Sequence, residues 1–155
     1  IGNGHDTLYL SNVVTSGKVF GFDIQEAAID ATKNLLDDNN KDNYELFLSS
    51  HTEMSSTLKD YLGKVSLVLF NLGYLPSGDK YITTNYESTI LAIEESFKLI
   101  HKMGMILVVI YPGHEAGELE SIKIHEYLDN NNINYIEYHN TTNEIAPYLI
   151  EIKKK

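Results

Sequence analysis

The sequence has no cysteine and no arginine, and it contains no long hydrophobic run. Without cysteine the chain can form neither disulfide bonds nor a catalytic thiolate, and a cytoplasmic location is expected. No apolar run approaches the roughly 20 residues of a membrane-spanning helix, so no membrane partner is expected. All 12 cationic side chains are lysines, and the formal net charge is −10. Broad nonspecific affinity for nucleic acid is therefore unfavourable, and any nucleic-acid partner must be bound locally.

The composition is typical of an ordinary globular domain. Hydrophobic residues make up 43% and charged residues 22% of the 155 residues, without low-complexity stretches or internal repeats. Disorder and solenoid folds are both poor interpretations of such a chain. The sequence starts with Ile1 in a glycine turn, so we expect one domain over 1–155 whose first helix and strand lie upstream of residue 1.

Six short β-rich runs alternate with helical patterns, and several runs are apolar on both faces, as in a helix-covered parallel sheet. The runs are 18–23, 44–50, 65–72, 105–112, 134–140 and 148–153. This alternation predicts an α/β fold with an open, mostly parallel sheet and right-handed crossovers. The last two runs are separated only by "TTNEIAP" (141–147), which is too short for a helical crossover. They are expected to pair as an antiparallel hairpin.

Three intervening segments carry apolar residues at helical spacing. Their members are Ile24, Ala28, Ala31 and Leu35; Met54, Leu58, Tyr61 and Leu62; and Tyr86, Ile90, Ile93, Phe97 and Ile100. The third stripe is the clearest, and it predicts a helix with one side facing the core.

In open α/β sheets, ligands bind beyond the carboxyl ends of the strands. The first such place is "GNGHDT" (2–7), where Gly2 and Gly4 allow a tight turn and close approach of a ligand, and Asp6 or Thr7 can cap the following helix. A glycine turn that merely joins a strand to a helix is an equally good interpretation of this stretch alone.

Asp23 ends a strand about 20 residues beyond these glycines, where a carboxylate can hydrogen-bond the ribose of a nucleotide-like ligand. It can also cap the helix that starts near Gln25. The pattern fits NAD and S-adenosylmethionine equally, because both contain adenosine. His51 follows the next strand and is either beside the adenine or an ordinary loop residue.

The stretch "VLFNLGYLP" (68–76) sets polar and aromatic groups at the end of a core strand. Asn71 offers a carbonyl acceptor, Gly73 allows close backbone approach, and Tyr74 offers a ring face. Together they can hold the amine of a planar substrate, as the N-x-x-Y arrangement does in enzymes that methylate nitrogen on bases. A capped turn is the structural alternative.

Five motifs, "GNGHDT", "GFDIQ", "NLGYLP", "ITT" and "YPGHEAGELE", resemble in order and spacing those of the bacterial YtqB-like methyltransferases. These proteins, first assigned as rRNA methylases, are tRNA 5-aminomethyl-2-thiouridine methyltransferases. The resemblance implies a Rossmann-like class I methyltransferase fold, with helices on both faces and a terminal antiparallel hairpin. It also implies methyl transfer from S-adenosylmethionine to a wobble-uridine amine, with the tRNA anticodon arm as partner.

The resemblance also implies roles for individual residues. Asn71, with the backbone carbonyl of Leu72, accepts hydrogen bonds from the amine, and Tyr74 stacks on the uracil. Further substrate contacts fall to Tyr111, His114 and Glu115, with His114 relaying the released proton. The cofactor-binding residues are Gly2, Asn3, Gly4, Asp6, Thr7, Asp23, Gln25, His51 and Asn71.

Other interpretations remain open. They are a methyltransferase acting on another RNA, such as rRNA, or on a small amine, an NAD-dependent oxidoreductase, and a noncatalytic adenosine-binding module. A metal site at His114, Glu115 and Glu118 is disfavoured because the zinc-protease spacing needs a histidine where Glu118 stands, so no metal is expected. His101, His125 and His139 are interpreted as surface or packing residues. A homodimer that pools lysines is possible.

Overall fold

The structure is a computed structural model that describes residues 1–71 and 85–154. The chain divides into two compact units. The described residues of the first unit are 1–51, and those of the second are 52–71 and 85–154. Among the described residues, no helix combines the length and hydrophobicity needed to cross a membrane.

Helices and strands alternate along most of the chain. In order they are α1 (His5–Val13), β1 (Val19–Asp23), α2 (Glu26–Asp38), β2 (Tyr44–Leu48), α3 (Met54–Thr57), β3 (Val65–Asn71), α4 (Tyr86–Leu99), β4 (Ile100–Ile110), α5 (Glu115–Asn130), β5 (Tyr135–Tyr138) and β6 (Tyr148–Lys153). Short 3₁₀ turns at His51–Glu53 and Lys59–Tyr61 flank α3. The predicted α/β fold is confirmed, and all six predicted strands are present, the last with the predicted bounds and the others with one or both ends shifted.

In the first unit, β1 and β2 form a parallel pair in which Val19 lies opposite Tyr44 and Asp23 opposite Leu48. Both α1 and α2 pack on this pair and on each other. Asn43 joins the elements, because its side-chain amide donates to the carbonyls of Ser11 and Val14, at 3.0 and 2.9 Å.

The start of α1 differs from the prediction. Helix α1 begins at His5 after Gly4, which has a left-handed φ of 88° and makes no side-chain cap. Asp6 and Thr7 therefore lie inside the first turn, and the prediction that one of them caps the helix is wrong. A Cβ on Gly4 would stand 2.8 Å from Cα of Thr32 in α2, so the close approach of the turn to α2 requires glycine here.

The second unit contains a four-stranded sheet in the order β3-β4-β6-β5. Strands β3 and β4 are parallel, whereas β6 runs antiparallel to both β4 and β5. The predicted terminal antiparallel hairpin is confirmed. Three cross-strand pairs of β4 and β6 form the buried centre of the sheet, and these are Ile106 with Ile152, Val108 with Ile150, and Ile110 with Tyr148.

The buried stripes of the helices are displaced from the predicted ones. On α4 the fully buried positions include Thr89, Ala92, Ile93 and Ser96, while Tyr86, Ile90 and Phe97 are half-buried. On α2 they are Ala28, Thr32 and Leu36. Small hydroxyl residues can be buried because each hydroxyl hydrogen-bonds the backbone of its own helix. Thr89 and Ser96 both donate to the carbonyl four residues earlier.

Strand β4 begins at Ile100, five residues earlier than predicted, because the chain passes from α4 into extended backbone without a loop. Regular pairing with β3 starts only at Met105. The register then aligns the carboxyl ends of β3, β4 and β5 with Tyr148 at the start of β6. We call this edge of the four-stranded sheet, where Asn71, Tyr111, His139 and Tyr148 lie, the carboxyl rim.

Candidate functional site

The glycine turn of the first unit has the backbone geometry of a ligand cradle. Gly2 has φ +56°, and a Cβ built on it would meet no atom within 4 Å. The amide of Gly4 donates to the carbonyl of Ile1 at 3.1 Å, which closes the turn. The position beside Gly2 is therefore open, and the residues present fit a ligand that approaches the backbone closely, ahead of the amino terminus of α1.

Asp23, the last residue of β1, connects this turn to α2. Its Oδ2 accepts from the backbone nitrogen of Ile1 at 2.9 Å and from the amide of Gly2 at 3.3 Å, and its Oδ1 accepts from the amide of Gln25 at 2.9 Å. The prediction that Asp23 caps α2 is wrong, because Gln25 occupies the N-cap position and Oδ1 of Asp23 accepts from the amide of that residue. The ribose contact stays a prediction.

His51 lies near the same groups in the first unit. Burial lowers the pKa of His51, and the negative charge of Asp23 opposes this effect. The ring is therefore neutral at pH 7, which suits contact with an uncharged base. The turn, Asp23 and His51 lie close together in the first unit, and their shared contact with a ligand stays a prediction.

The other predicted cofactor residues have different surroundings. Asn3 and Asp6 are exposed, Gln25 is half-buried, and Thr7 is buried. Asp6 in the first turn of α1 also stabilises the helix through its dipole. Their cofactor contacts stay predictions.

In the second unit, Asn71 ends β3 at the carboxyl rim. The Tyr111 hydroxyl donates to Oδ1 of Asn71 at 2.7 Å. Asn71 of β3 lies opposite Val109 of β4, and Tyr111 directly follows β4. The β3 backbone and the Tyr111 hydroxyl therefore both position the side-chain amide of Asn71. The predicted substrate residue Tyr111 therefore orients the predicted catalytic one. Leu72 and Tyr74, with Gly73, lie outside the described residues.

His114 caps α5. Its Nδ1 accepts from the amide of Gly117 at 3.0 Å, and Glu115 is the exposed first residue of the helix. A Cβ on Gly117 would stand 1.8 Å from the carbonyl oxygen of Tyr111, so the turn packs directly on the helix. His114 thus has a structural role, and its proton relay stays a prediction.

Sequence reasoning missed two clusters in the second unit. Glu120 of α5 is 6% exposed, with Oε1 3.0 Å from the Thr89 hydroxyl. Burial raises the pKa of Glu120 to about 7, against the opposing effect of Thr89. The Thr89 hydroxyl also lies 3.0 Å from the carbonyl of Asn85. It has one proton for two acceptors, so a protonated Glu120 that donates to Thr89 satisfies the group.

The second cluster is at the hairpin, where Glu137 binds His125 and His139, and His139 stacks on Tyr148. The only sequence signal for this cluster was the grouping of tyrosine, glutamate and histidine in "YIEYHN" (135–140). Within 1–71 and 85–154, no group of three or more histidine, aspartate or glutamate side chains is arranged to bind a metal ion.

Comparison with known proteins identifies the family. The family described as "Putative rRNA methylase" matches residues 19–153. The chain belongs to this family. A curated relative in Arabidopsis thaliana, "tRNA (mnm(5)s(2)U34)-methyltransferase, chloroplastic", is 36% identical over 134 residues, which cover 79% of this chain and 48% of the relative. The chain thus spans about half the length of this curated relative.

Solved structures agree. A "putative rRNA-methylase" from Clostridium thermocellum superposes with a TM-score of 0.89 at 38% identity, covering 99% of this chain and 84% of that one. A "putative methyltransferase" from Streptococcus mutans, in complex with SAH, gives 0.81 at 27% identity over the same shares. The predicted Rossmann-like fold of S-adenosylmethionine-dependent methyltransferases is confirmed, and so is the family.

Proposed function

We propose that this protein is an S-adenosylmethionine-dependent N-methyltransferase that acts on the aminomethyl group of wobble 5-aminomethyl-2-thiouridine in tRNA. The observation that carries the proposal is the Asn71 amide, held by Tyr111 at the carboxyl rim of a methyltransferase fold. The name of the Arabidopsis thaliana relative supports the substrate. The tRNA anticodon arm is the proposed partner.

The first unit supplies the cofactor contacts in this proposal. The Streptococcus mutans structure, which contains SAH, supports S-adenosylmethionine as the cofactor. The open side of Gly2 accommodates its methionine part, the Asp23 carboxylate accepts from the ribose hydroxyls, and the neutral His51 ring lies against the adenine. When bound, this cofactor supplies an electrophilic methyl group on a sulfonium.

Asn71 orients the amine, and the positive charge of the bound cofactor's sulfonium would favour the neutral, reactive amine over the ammonium. A free alkylamine with a pKa of roughly 9 to 10 costs about 3 to 4 kcal/mol to deprotonate at pH 7. A carbonyl oxygen binds the N–H of the neutral amine and leaves its lone pair for the methyl carbon. The side-chain oxygen of Asn71, which Tyr111 holds in place, is the acceptor proposed for the substrate amine. Positioning of this kind supplies most of the rate in an in-line displacement.

The test uses the full-length protein and tRNA from cells without the gene. Labelled methyl from S-adenosylmethionine is expected to enter this tRNA, and Asn71→Ala is expected to reduce the rate at least tenfold. His101→Ala, at the opposite end of β4, is the matched control. Undiminished methylation by Asn71→Ala would overturn the assignment of Asn71.

Nucleoside analysis of cellular tRNA identifies the product. Deletion of the gene is expected to leave unmethylated 5-aminomethyl-2-thiouridine. Calorimetry adds a second check, because binding of NADH without binding of SAH contradicts the proposed cofactor.

An rRNA substrate is the second candidate, and the description of the family favours it. Parallel assays with undermodified tRNA and with ribosomal RNA separate the two. Incorporation confined to ribosomal RNA would replace the tRNA proposal while keeping the methyltransferase.

A further inference from the structure

A pair of stacked rings lies at the carboxyl rim, outside the residues assigned to the methylated base. The rings of His139 and Tyr148 are stacked with centroids 4.6 Å apart and planes 13° apart. His139 follows β5 directly, and Tyr148 begins β6 opposite Ile110 at the end of β4. The pair therefore lies on the same edge as Asn71, with Tyr148 two strands away and His139 three strands away, or roughly 14 Å at the usual strand spacing.

Both rings are fixed by hydrogen bonds. Tyr148 is 8% exposed, and its hydroxyl lies 2.6 Å from Oγ of Ser121. Nε2 of His139 lies 2.9 Å from a carboxylate oxygen of Glu137, which also binds His125. Burial raises the pKa of Glu137, but the bonds from His139 and His125 outweigh it and hold the pKa below the ordinary value. The carboxylate is thus ionised at neutral pH and keeps the His139 ring in place.

One face of His139 remains accessible. Its side chain is 47% exposed although Tyr148 covers one face of the ring, so the exposure falls on the other face and the edge. The following residues 140–145 are exposed and mostly polar. A rigid ring with one open face beside polar side chains has the geometry on which single-stranded nucleic acids stack their bases.

We propose that His139 is a stacking platform for an RNA base that flanks the methylated nucleotide. This inference rests on the proposed RNA substrate. Stacking suits this chain, because it adds affinity without cations to a protein with a formal charge of −10. The single-stranded anticodon loop offers such bases on both sides of the wobble uridine.

The experiment measures binding of anticodon stem-loop RNAs that carry 2-aminopurine on one or the other side of the wobble uridine. Wild-type protein is expected to quench the fluorescence from one of these positions. His139→Ala is expected to abolish the quench and to weaken binding by about 5-fold to about 150-fold. His139→Phe, which keeps a planar ring, is expected to retain both. His101→Ala, the same change at the other rim, is the matched control.

The outcomes separate this inference from the proposed function. SAH affinity of His139→Ala should match the wild type, and its unfolding midpoint should fall only by the loss of the Glu137 bond and the Tyr148 stack. Equal RNA binding and equal quenching by wild type and His139→Ala would overturn the platform and leave the tRNA substrate intact. Failure of wild-type protein to bind either RNA would overturn both. Loss of binding in His139→Phe as well as in His139→Ala would also contradict stacking, because a contact specific to imidazole would then be required.

Discussion

The hydroxyl of Tyr111 donates a hydrogen bond to the side-chain oxygen of Asn71 across 2.7 Å. The two residues are 40 positions apart and meet because β3 and β4 are parallel neighbours with aligned carboxyl ends. The bond fixes the orientation of the Asn71 side-chain amide.

Tyr111→Phe removes this bond and keeps the ring. We expect kcat for methyl transfer to fall by about 2-fold to about 12-fold, as loss of one neutral hydrogen bond implies, while KM for S-adenosylmethionine is unchanged. Steady-state kinetics with tRNA measures both constants. Phe97→Leu changes a half-buried side chain of α4 and is a control that should leave kcat unchanged. An unchanged kcat in Tyr111→Phe would show that the orientation of Asn71 does not depend on this hydroxyl.

Gly2→Ala tests the cradle, and Gly63→Ala is its matched control. The two glycines have φ +56° and φ +69°, and neither has an atom within 4 Å of a built Cβ. Both substitutions are expected to cost about 1 to 2 kcal/mol of stability through backbone strain. Only Gly2→Ala is expected to weaken SAH binding as well, by at least tenfold. Calorimetry and chemical denaturation separate the two effects, and equal SAH affinity in both variants would place the ligand elsewhere.

Glu120 makes the stability of the fold depend on pH. Its folded pKa of about 7 lies above the ordinary value of 4.5, so the native state binds the proton more tightly than the unfolded chain. Its stabilising contribution is complete below pH 4.5 and is lost as the pH rises through 7, amounting to at most about 3 kcal/mol. Glu120→Gln keeps a donor for Thr89 without the titration.

The difference in unfolding free energy between Glu120→Gln and wild type is therefore expected to grow in favour of the variant from pH 5 to pH 8. Urea denaturation at both values measures it. Glu126→Gln on the exposed side of α5 is the control and should show little change. A difference that stays constant with pH would mean that Glu120 is not protonated in the folded protein.

Asn43→Ala removes two hydrogen bonds that hold the end of α1 to the start of β2. We expect a loss of about 1 to 3 kcal/mol in stability, because two partly buried carbonyls lose their donor. Asn39→Ala removes one exposed bond to Leu35 and is expected to cost under about 1 kcal/mol. Equal losses in the two variants would contradict the structural role of Asn43.

Much of the fold was predictable because its signals are local. The β-rich runs, the glycine turn before α1 and the short connection before β6 each depend on a few neighbouring residues, and each predicted element is present. The ends of the strands and the buried faces of the helices were less predictable. The buried face of α4 is centred on Thr89, Ile93 and Ser96. Hydroxyl side chains can be buried there because they hydrogen-bond the backbone of their own helix, and a search for apolar residues alone misses them.

The candidate site divides in the same way. The sequence indicated Asp23 by its distance from the glycines and Asn71 by its place after an apolar strand. It could not indicate that Asp23 bonds the amides of Gly2 and Gln25, or that His114 caps α5. Each of these side chains could bond several partners. The actual partner depends on which backbone amides the fold brings within about 3 Å of the side chain.

By itself, the sequence determined the alternation of strands and helices, the terminal hairpin and the residue types at the strand ends, because spacing and turn composition act over a few residues. Only the tertiary structure decided that Tyr111 meets Asn71, that Glu120 is buried against Thr89, and that His139 stacks on Tyr148. Each of these contacts joins separate elements of the second unit, and the strand register and helix packing that create them arise only when the chain folds.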